Sequence, residues 1–194
     1  MNEKLAAFER LLTIMDELRE KCPWDKKQTI ESLRHLTIEE TYELSDAILK
    51  NDMNELKKEL GDIMLHIVFY ARIASETHQF NIADVMNALC DKLIFRHPHI
   101  YGDVKVQDEN EVKQNWEKIK QKEKDGNKTV LSGVPDSMPA LLKAYRIQEK
   151  ARAVGFDWEK PEQVFEKVQE EIGELNSEVN KNDNLKKIED EFGD

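Results

Sequence analysis

One ordered series of motifs occurs twice in this chain, and it restricts the possible folds more than any bulk property does. The first copy runs Trp24, then "EETYEL" from Glu39, "KND" from Lys50 and "ELGD" from Glu59. The second runs Trp158, "EEIGEL" from Glu170, "KND" from Lys181 and "EFGD" from Glu191. In both, the last glutamate of the first acidic group (Glu43, Glu174) lies eight positions before the asparagine of "KND" (Asn51, Asn182). Eight positions then lead from Asn51 to Glu59, and nine from Asn182 to Glu191. Four elements matched in order are hard to obtain by chance in a merely acidic protein, so the series reads as a duplicated structural unit.

The spacing has a geometric meaning. Residues three apart on a helix share a face, so Glu40 projects with Glu43 and Glu59 with Asp62. A short turn at Asn51–Met53 makes the flanking helices antiparallel neighbours. Equal distances from that turn bring the two acidic pairs level. Carboxylates so close repel and raise one another's pKa unless a cation lies among them. An all-oxygen set without His or Cys suits Mg²⁺ or Mn²⁺. The competing reading is a solvated acidic face paired with Lys57 and Lys58. Against it stands the apolar run "IMLHIVFYARIA" directly after Asp62, where unpaired carboxylates are costly. A di-iron carboxylate bundle needs a Glu three residues before a His. The residues three before His35, His66, His78, His97 and His99 are Ser32, Ile63, Ser75, Ile94 and Arg96, and none fits.

The remaining pattern is helical. Leu5, Phe8, Leu11, Leu12, Met15 and Leu18 mark an amphipathic helix over 3–19, broken by Pro23. Helices are expected over about 28–49, from Asp52 to about 74, from Asn81 to Pro98, over about 109–124, 140–153 and 161–181, and from near Asn184. Asp52 followed by Glu55 has the form of a capping box. The segment "KDGNKTVLSGVPDSMP" reads as a linker. Few Gly and Pro, and no alternating runs of Val and Ile, argue against an extended sheet. The expected fold is all-α, with a complete helical domain over 1–124, a linker over 125–138 and a truncated second domain over 139–194.

Charge and apolar content limit the function classes. The net charge of −11 repels a polyphosphate backbone, so nucleic-acid polymers are not expected partners. Cations bridging to carboxylates would still admit a small anionic ligand. No apolar stretch approaches membrane-spanning length, and "MNEKLAAFER" lacks a secretory core, so a cytoplasmic location is expected. Cys22 and Cys90 lack metal-like spacing, and Cys90, in an apolar helical pattern, is expected to be a buried free thiol. Lys92 and Arg96, one turn apart, are candidates to clamp phosphate oxygens. Trp116 and Lys120 share the same spacing, with Trp116 either stacked on a base or in the core. His97 and His99, beside Pro98, are expected to cap or pack.

The segments "CPWDKKQTIESL", "EETYEL", "NELKKELGD", "KLIFRHPHIYGDV" and "RAVGFDW" together resemble the MazG family of the all-α NTP pyrophosphatases, over nearly the whole chain. The resemblance implies tandem MazG-type bundles, a homodimer, and Mg²⁺-dependent cleavage of a nucleoside triphosphate to the monophosphate and pyrophosphate, in nucleotide-pool housekeeping. It implies Glu40, Glu43, Glu59 and Asp62 as metal ligands, with Glu39 in an outer shell or as a base. Lys92 and Arg96 match the basic pair that follows. Glu171, Glu174, Glu191 and Asp194 match a second metal set, with Glu170 in the place of Glu39. Family members continue beyond the second "GD", so the second site is expected to be incomplete in this chain. Two alternatives stay open: a phosphoribosyl-ATP or dUTP/dCTP pyrophosphohydrolase with the same metal motif, and a non-catalytic helical regulator that binds metal or nucleotide.

Overall fold

The structure is a computed structural model that describes residues 2–106, 108–109, 111–112, 115–116, 119, 129–181 and 185–193. The chain is all-α, and every regular element among the described residues is a helix. It divides into two compact units, Met1–Gly102 and Asp103–Asp194. No helix among the described residues is long and apolar enough to cross a membrane.

In the first unit, α1 covers Glu3–Lys21, α2 Ile30–Lys50, α3 Met53–Glu76, α4 Ile82–Arg96 and the short α5 Pro98–Tyr101. Local chemistry sets each boundary. The Asn2 side chain accepts from the Lys4 amide at the start of α1. Cys22, forced extended by the following Pro23, ends it. The expected start of α2 at residue 28 shifts to Ile30. Residues 25–27 instead form a single 3₁₀ turn, and Thr29 and Ser32 close a capping box. Asn51 then adopts the left-handed conformation (φ 53°, ψ 35°) that ends a helix and that Asn tolerates well. Asp52 accepts from the amides of Asn54 and Glu55. The capping box expected there is only half made, because Glu55 Oε1 accepts from Lys58 Nζ. Two residues thus join α2 and α3 into an antiparallel hairpin.

The core lies at the end of this hairpin away from the turn. Met15 of α1, Leu33 of α2 and Val68 and Phe69 of α3 are buried together, flanked by Phe8, Leu11, Leu12, Leu36, Leu65 and Ile73. Arg19 ties the segment between α1 and α2 to this core. Its guanidinium makes a two-pronged contact to Glu76 at 2.7 and 2.9 Å, donates to the carbonyls of Asp25 and Gln28, and lies over the Phe69 ring. A planar fork with its donors filled on several sides holds a loop better than a flexible ammonium does.

α4 buries none of its residues fully, which corrects one expectation: Cys90 is exposed, and Cys22 is half-buried. The apolar pattern of α4 faces outward here, with Met86, Leu89 and Leu93 all more than 40% exposed. His97 caps α4, its Nδ1 lying 2.6 Å from the Leu93 carbonyl oxygen.

The second unit contains α6 (Ala140–Ala153), α7 (Pro161–Lys181) and α8 (Leu185–Gly193). The helix expected over 109–124 falls mostly outside the described residues; those described between 109 and 119 are helical. The part of the expected linker that is described is held. Lys150 of α6 is only 5% exposed, and its ammonium donates to the carbonyls of Val130 and Ser132.

Leu33→Ala is expected to destabilise the fold by about 2–5 kcal/mol, the usual cost of truncating a buried leucine. Leu49→Ala, at a position 81% exposed on the same helix, should change stability by less than about 0.5 kcal/mol. Urea unfolding followed by circular dichroism measures both. Equal losses would contradict this placement of the core.

Candidate metal centre

The α2–α3 hairpin is a two-helix seam with an apolar end and a polar end. Leu33, Leu36, Thr37, Glu40, Leu44 and Ala47 on α2 recur every three or four residues and are all at least half-buried. On α3 the matching series is Leu56, Glu59, Asp62 with Ile63, His66, and Phe69 with Tyr70. Near the turn, positions that would otherwise be apolar carry carboxylates.

One oxygen each from Glu40, Glu43 and Glu59 lies within 4.8 Å of the others. Glu59 is fully buried, with 0% exposure. Its Oε1 accepts from Lys58 at 2.9 Å. Its Oε2 has no hydrogen-bond partner, the single such buried side-chain atom among the described residues. The solvated-face reading therefore holds for one of the two oxygens only. A buried carboxylate oxygen without a partner is strongly unfavourable, and a cation is one group that would compensate it. Beside it, a cavity of about 410 Å³ runs toward the turn, lined by Glu43, Ala47, Lys50, Glu55 and Glu59 among others. The small side chain of Ala47, itself buried, leaves that space open.

The electrostatics agree. The Glu40 carboxyl is held above its ordinary value of 4.5, first by desolvation, then by the charges of Asp62, Glu43, Glu59 and Glu39. Asp62 and Glu39 thus act on the same point, although neither belongs to the triple of close oxygens. Lys58, bonded to Glu55 and to Glu59, is held above its ordinary value, chiefly by Glu55. Glu55 is in turn lowered by Lys58. Three convergent carboxylates, a nearby fourth and an orphaned buried oxygen fit a hard, oxygen-preferring divalent cation.

The second unit repeats the arrangement. One oxygen each from Glu171, Glu174 and Glu191 lies within 4.8 Å of the others. Lys167, on the first helix of this hairpin, bridges Glu170 and Glu171 at 3.0 and 2.9 Å, whereas Lys58 lies on the second helix of its own hairpin. Here no member of the triple is fully buried. Asp194 lies outside the described residues.

The basic and aromatic candidates are placed as follows. Lys92 is exposed and Arg96 half-buried, one turn apart at the end of α4, which packs on α3. Trp116 is 39% exposed and belongs to the second unit. Lys120 lies outside the described residues.

Sequence reasoning missed a polar junction one turn from the carboxylates. Thr37 Oγ1 lies 2.6 Å from His66 Nδ1, 2.6 Å from Tyr70 Oη and 3.1 Å from the Leu33 carbonyl oxygen. His66 is buried. Burial holds its imidazole below the ordinary 6.5, with the Asp62 charge opposing, so it is neutral at pH 7. The available signal was positional: Thr37 and His66 fall on the seam, where apolar residues are the norm.

Comparison with known proteins places these features. Residues 28–101, which contain the whole first site and the junction, match the MazG nucleotide pyrophosphohydrolase domain. A nucleoside triphosphate pyrophosphohydrolase of Escherichia coli strain K12 is 42% identical over 193 residues, covering 96% of this chain and 73% of that protein. A nucleoside triphosphate pyrophosphohydrolase/pyrophosphatase MazG of Thermotoga maritima is 45% identical over 197 residues, covering 100% of this chain and 74% of that one. The crystal structure of a mazG-related protein from Thermotoga maritima superposes with a TM-score of 0.52 at 30% identity, covering 59% of this chain and 99% of that one.

The orphaned oxygen makes a thermal prediction. Mg²⁺ or Mn²⁺ should raise the melting temperature, because a ligand bound only by the folded state stabilises it. Glu59→Gln should melt higher than the parent in EDTA, since an amide can donate to the neighbouring carboxylates, and should respond less to metal. The pH dependence has a definite sign. A raised Glu40 contributes stability that is fully present below its ordinary 4.5 and is lost as pH rises through its raised value. The increment due to metal should therefore grow as pH rises from 4.5 to 7.5. Coincident melts with EDTA and with excess Mg²⁺ would remove the physical support for a metal centre.

Proposed function

This chain belongs to the MazG family of nucleotide pyrophosphohydrolases, and from that premise we propose that it hydrolyses nucleoside triphosphates to the monophosphate and pyrophosphate. The reaction is Mg²⁺-dependent, with Mn²⁺ as a substitute, and serves the upkeep of the nucleotide pool. The observation that carries this reading is the buried Glu59 carboxylate, with one oxygen unpartnered beside Glu40 and Glu43. Such a set is unfavourable by itself and suits a cation that also takes phosphate oxygens.

In this reading Glu40, Glu43, Glu59 and Asp62 hold the metal in the first unit. When bound, the ion supplies charge neutralisation for the triphosphate and a more acidic water. Glu39, exposed one residue before Glu40, serves as outer shell or as the base that takes a proton from the attacking water. Lys92 and Arg96 clamp phosphate oxygens, and Trp116 and Lys120 are proposed as further substrate-binding residues. Phosphoryl transfer asks for positioning and charge stabilisation more than for covalent chemistry, and a carboxylate-and-cation arrangement provides both. Glu171, Glu174, Glu191 and Asp194 form the corresponding second set. The domain assignment proposed with it is 1–124, a linker over 125–138 and a second domain from 139.

The proposed assembly is a homodimer. Support comes from apolar stripes on neighbouring helices: Leu60, Met64 and Ile67 on α3 and Met86, Leu89 and Leu93 on α4 are each 40–52% exposed. Stripes at helical spacing on two packed helices suit burial against partner helices.

Two measurements test this reading. Pyrophosphate release from ATP should require Mg²⁺, and Glu43→Gln should cut turnover at least about 10²-fold, since even partners one shell out from a metal cost about 10–100-fold. Unchanged turnover in that variant would refute the assignment of the site. Light scattering at micromolar concentration should return twice the chain mass, and a single-chain mass would refute the dimer.

A further inference from the structure

We propose that Thr37 is a positioning residue for the metal centre: its hydroxyl is the junction that locks α2 to α3 one turn from the carboxylates and so sets the separation of Glu40 from Glu59 and Asp62. The proposal rests on the metal reading given above and adds a role for residues outside the acidic set.

The placement comes from register. Counted from Asn51, Glu43 and Glu59 lie eight positions away on either side, and Glu40 and Asp62 lie eleven. Thr37 lies fourteen back and His66 fifteen forward. The junction is therefore the next layer of the seam. The layer beyond it is apolar, with Leu33, Val68 and Phe69 buried. Between the dry core and the acidic layers, one hydroxyl meets three groups from both helices: the Leu33 carbonyl on α2, and His66 and Tyr70 on α3.

The hydrogen-bond arithmetic makes the junction directional. A threonine hydroxyl has one proton to donate and two lone pairs to accept with. The Leu33 carbonyl can only accept, so the hydroxyl donates its one proton there and accepts from both His66 and Tyr70. Two contacts of 2.6 Å across the seam fix the helix separation more sharply than apolar packing does, because hydrogen bonds weaken steeply with distance and angle. Two acidic layers have no attraction of their own across the seam; like charges on facing helices push them apart. A latch next to them holds the ligands near their binding separation before a cation arrives, which lowers the reorganisation that binding requires. Apolar contacts in the neighbouring layer resist separation but tolerate sliding and rotation; the hydroxyl junction resists both.

The test uses the full chain and Mn²⁺ as the probe, read by isothermal titration and by the electron paramagnetic resonance of bound Mn²⁺. Thr37→Val keeps the shape and removes the hydroxyl. It should raise the Mn²⁺ dissociation constant about tenfold, in the range found when partners of metal ligands are lost, and alter the Mn²⁺ spectrum. Thr37→Ser keeps the hydroxyl and should bind Mn²⁺ as the parent does. Tyr70→Phe removes one arm of the junction and should fall between; it serves as the deciding variant if Thr37→Val does not fold. All comparisons are made below the melting temperature of the least stable variant. A purely structural role would lower the melting temperature of Thr37→Val while leaving Mn²⁺ affinity and spectrum unchanged, and that result overturns the proposal. Thr37→Ser binding as weakly as Thr37→Val overturns it too. Absence of Mn²⁺ binding by the unmutated chain would instead overturn the metal reading, and the junction's role with it.

Discussion

A carboxylate at 0% exposure with one oxygen lacking a partner is the constraint around which the first unit is arranged. The unfavourable part of burying Glu59 is offset only in part by Lys58, which is itself 59% exposed and shared with Glu55. A lysine that flexible and solvated is a weak counter-charge. The remainder must come from the surroundings, and each neighbour contributes to the tension: Glu40 is pushed toward its protonated form by desolvation and by four nearby acids. A hairpin whose only purpose was stability would place an apolar side chain at 59. The acidic layers raise the energy of the folded protein at neutral pH, and a cation held among them would lower it.

The hairpin tolerates this because the two ends of the seam have separate tasks. Far from the turn, Met15, Leu33, Val68 and Phe69 supply the packing, and the Arg19–Glu76 pair closes the edge. Near the turn, the left-handed Asn51 and the Asp52 cap reverse the chain in two residues. The short reversal keeps the acidic layers in register, since little slack is available for one helix to slip along the other. Thr37, His66 and Tyr70 lie between these regions, where dry packing gives way to charge.

The second unit shows which parts of the arrangement follow from local pattern. One oxygen each from Glu171, Glu174 and Glu191 meets within the same 4.8 Å as in the first triple, while Lys167 bridges acids of the first helix of its hairpin and Lys58 acids of the second helix of its own. The unit differs in burial. None of its three carboxylates is sealed from solvent as Glu59 is, so the electrostatic tension of the first site has no equal there. Convergence therefore follows from helix spacing and the turn, whereas burial requires a packed layer over the site.

The amino-acid sequence by itself determined the helices, the hairpin and the acids that face one another. The physical reason is that these are local properties: 3.6-residue periodicity, caps within three residues of a helix start, and equal counts on either side of one turn. The all-α class, the pairing of Glu40 and Glu43 with Glu59, and the cap at Asp52 were all legible that way. Tertiary structure alone decided how deep each group lies and which groups meet across helices. Glu43 is exposed while Glu59 is sealed, although the pattern treats them as equivalents. Cys90, in an apolar helical pattern, is exposed on α4, a helix none of whose residues is fully buried. The Thr37–His66–Tyr70 junction joins residues 29 and 33 positions apart, and no local rule links them. Burial and cross-helix contact depend on what the facing element presents, and that is settled only when the helices pack.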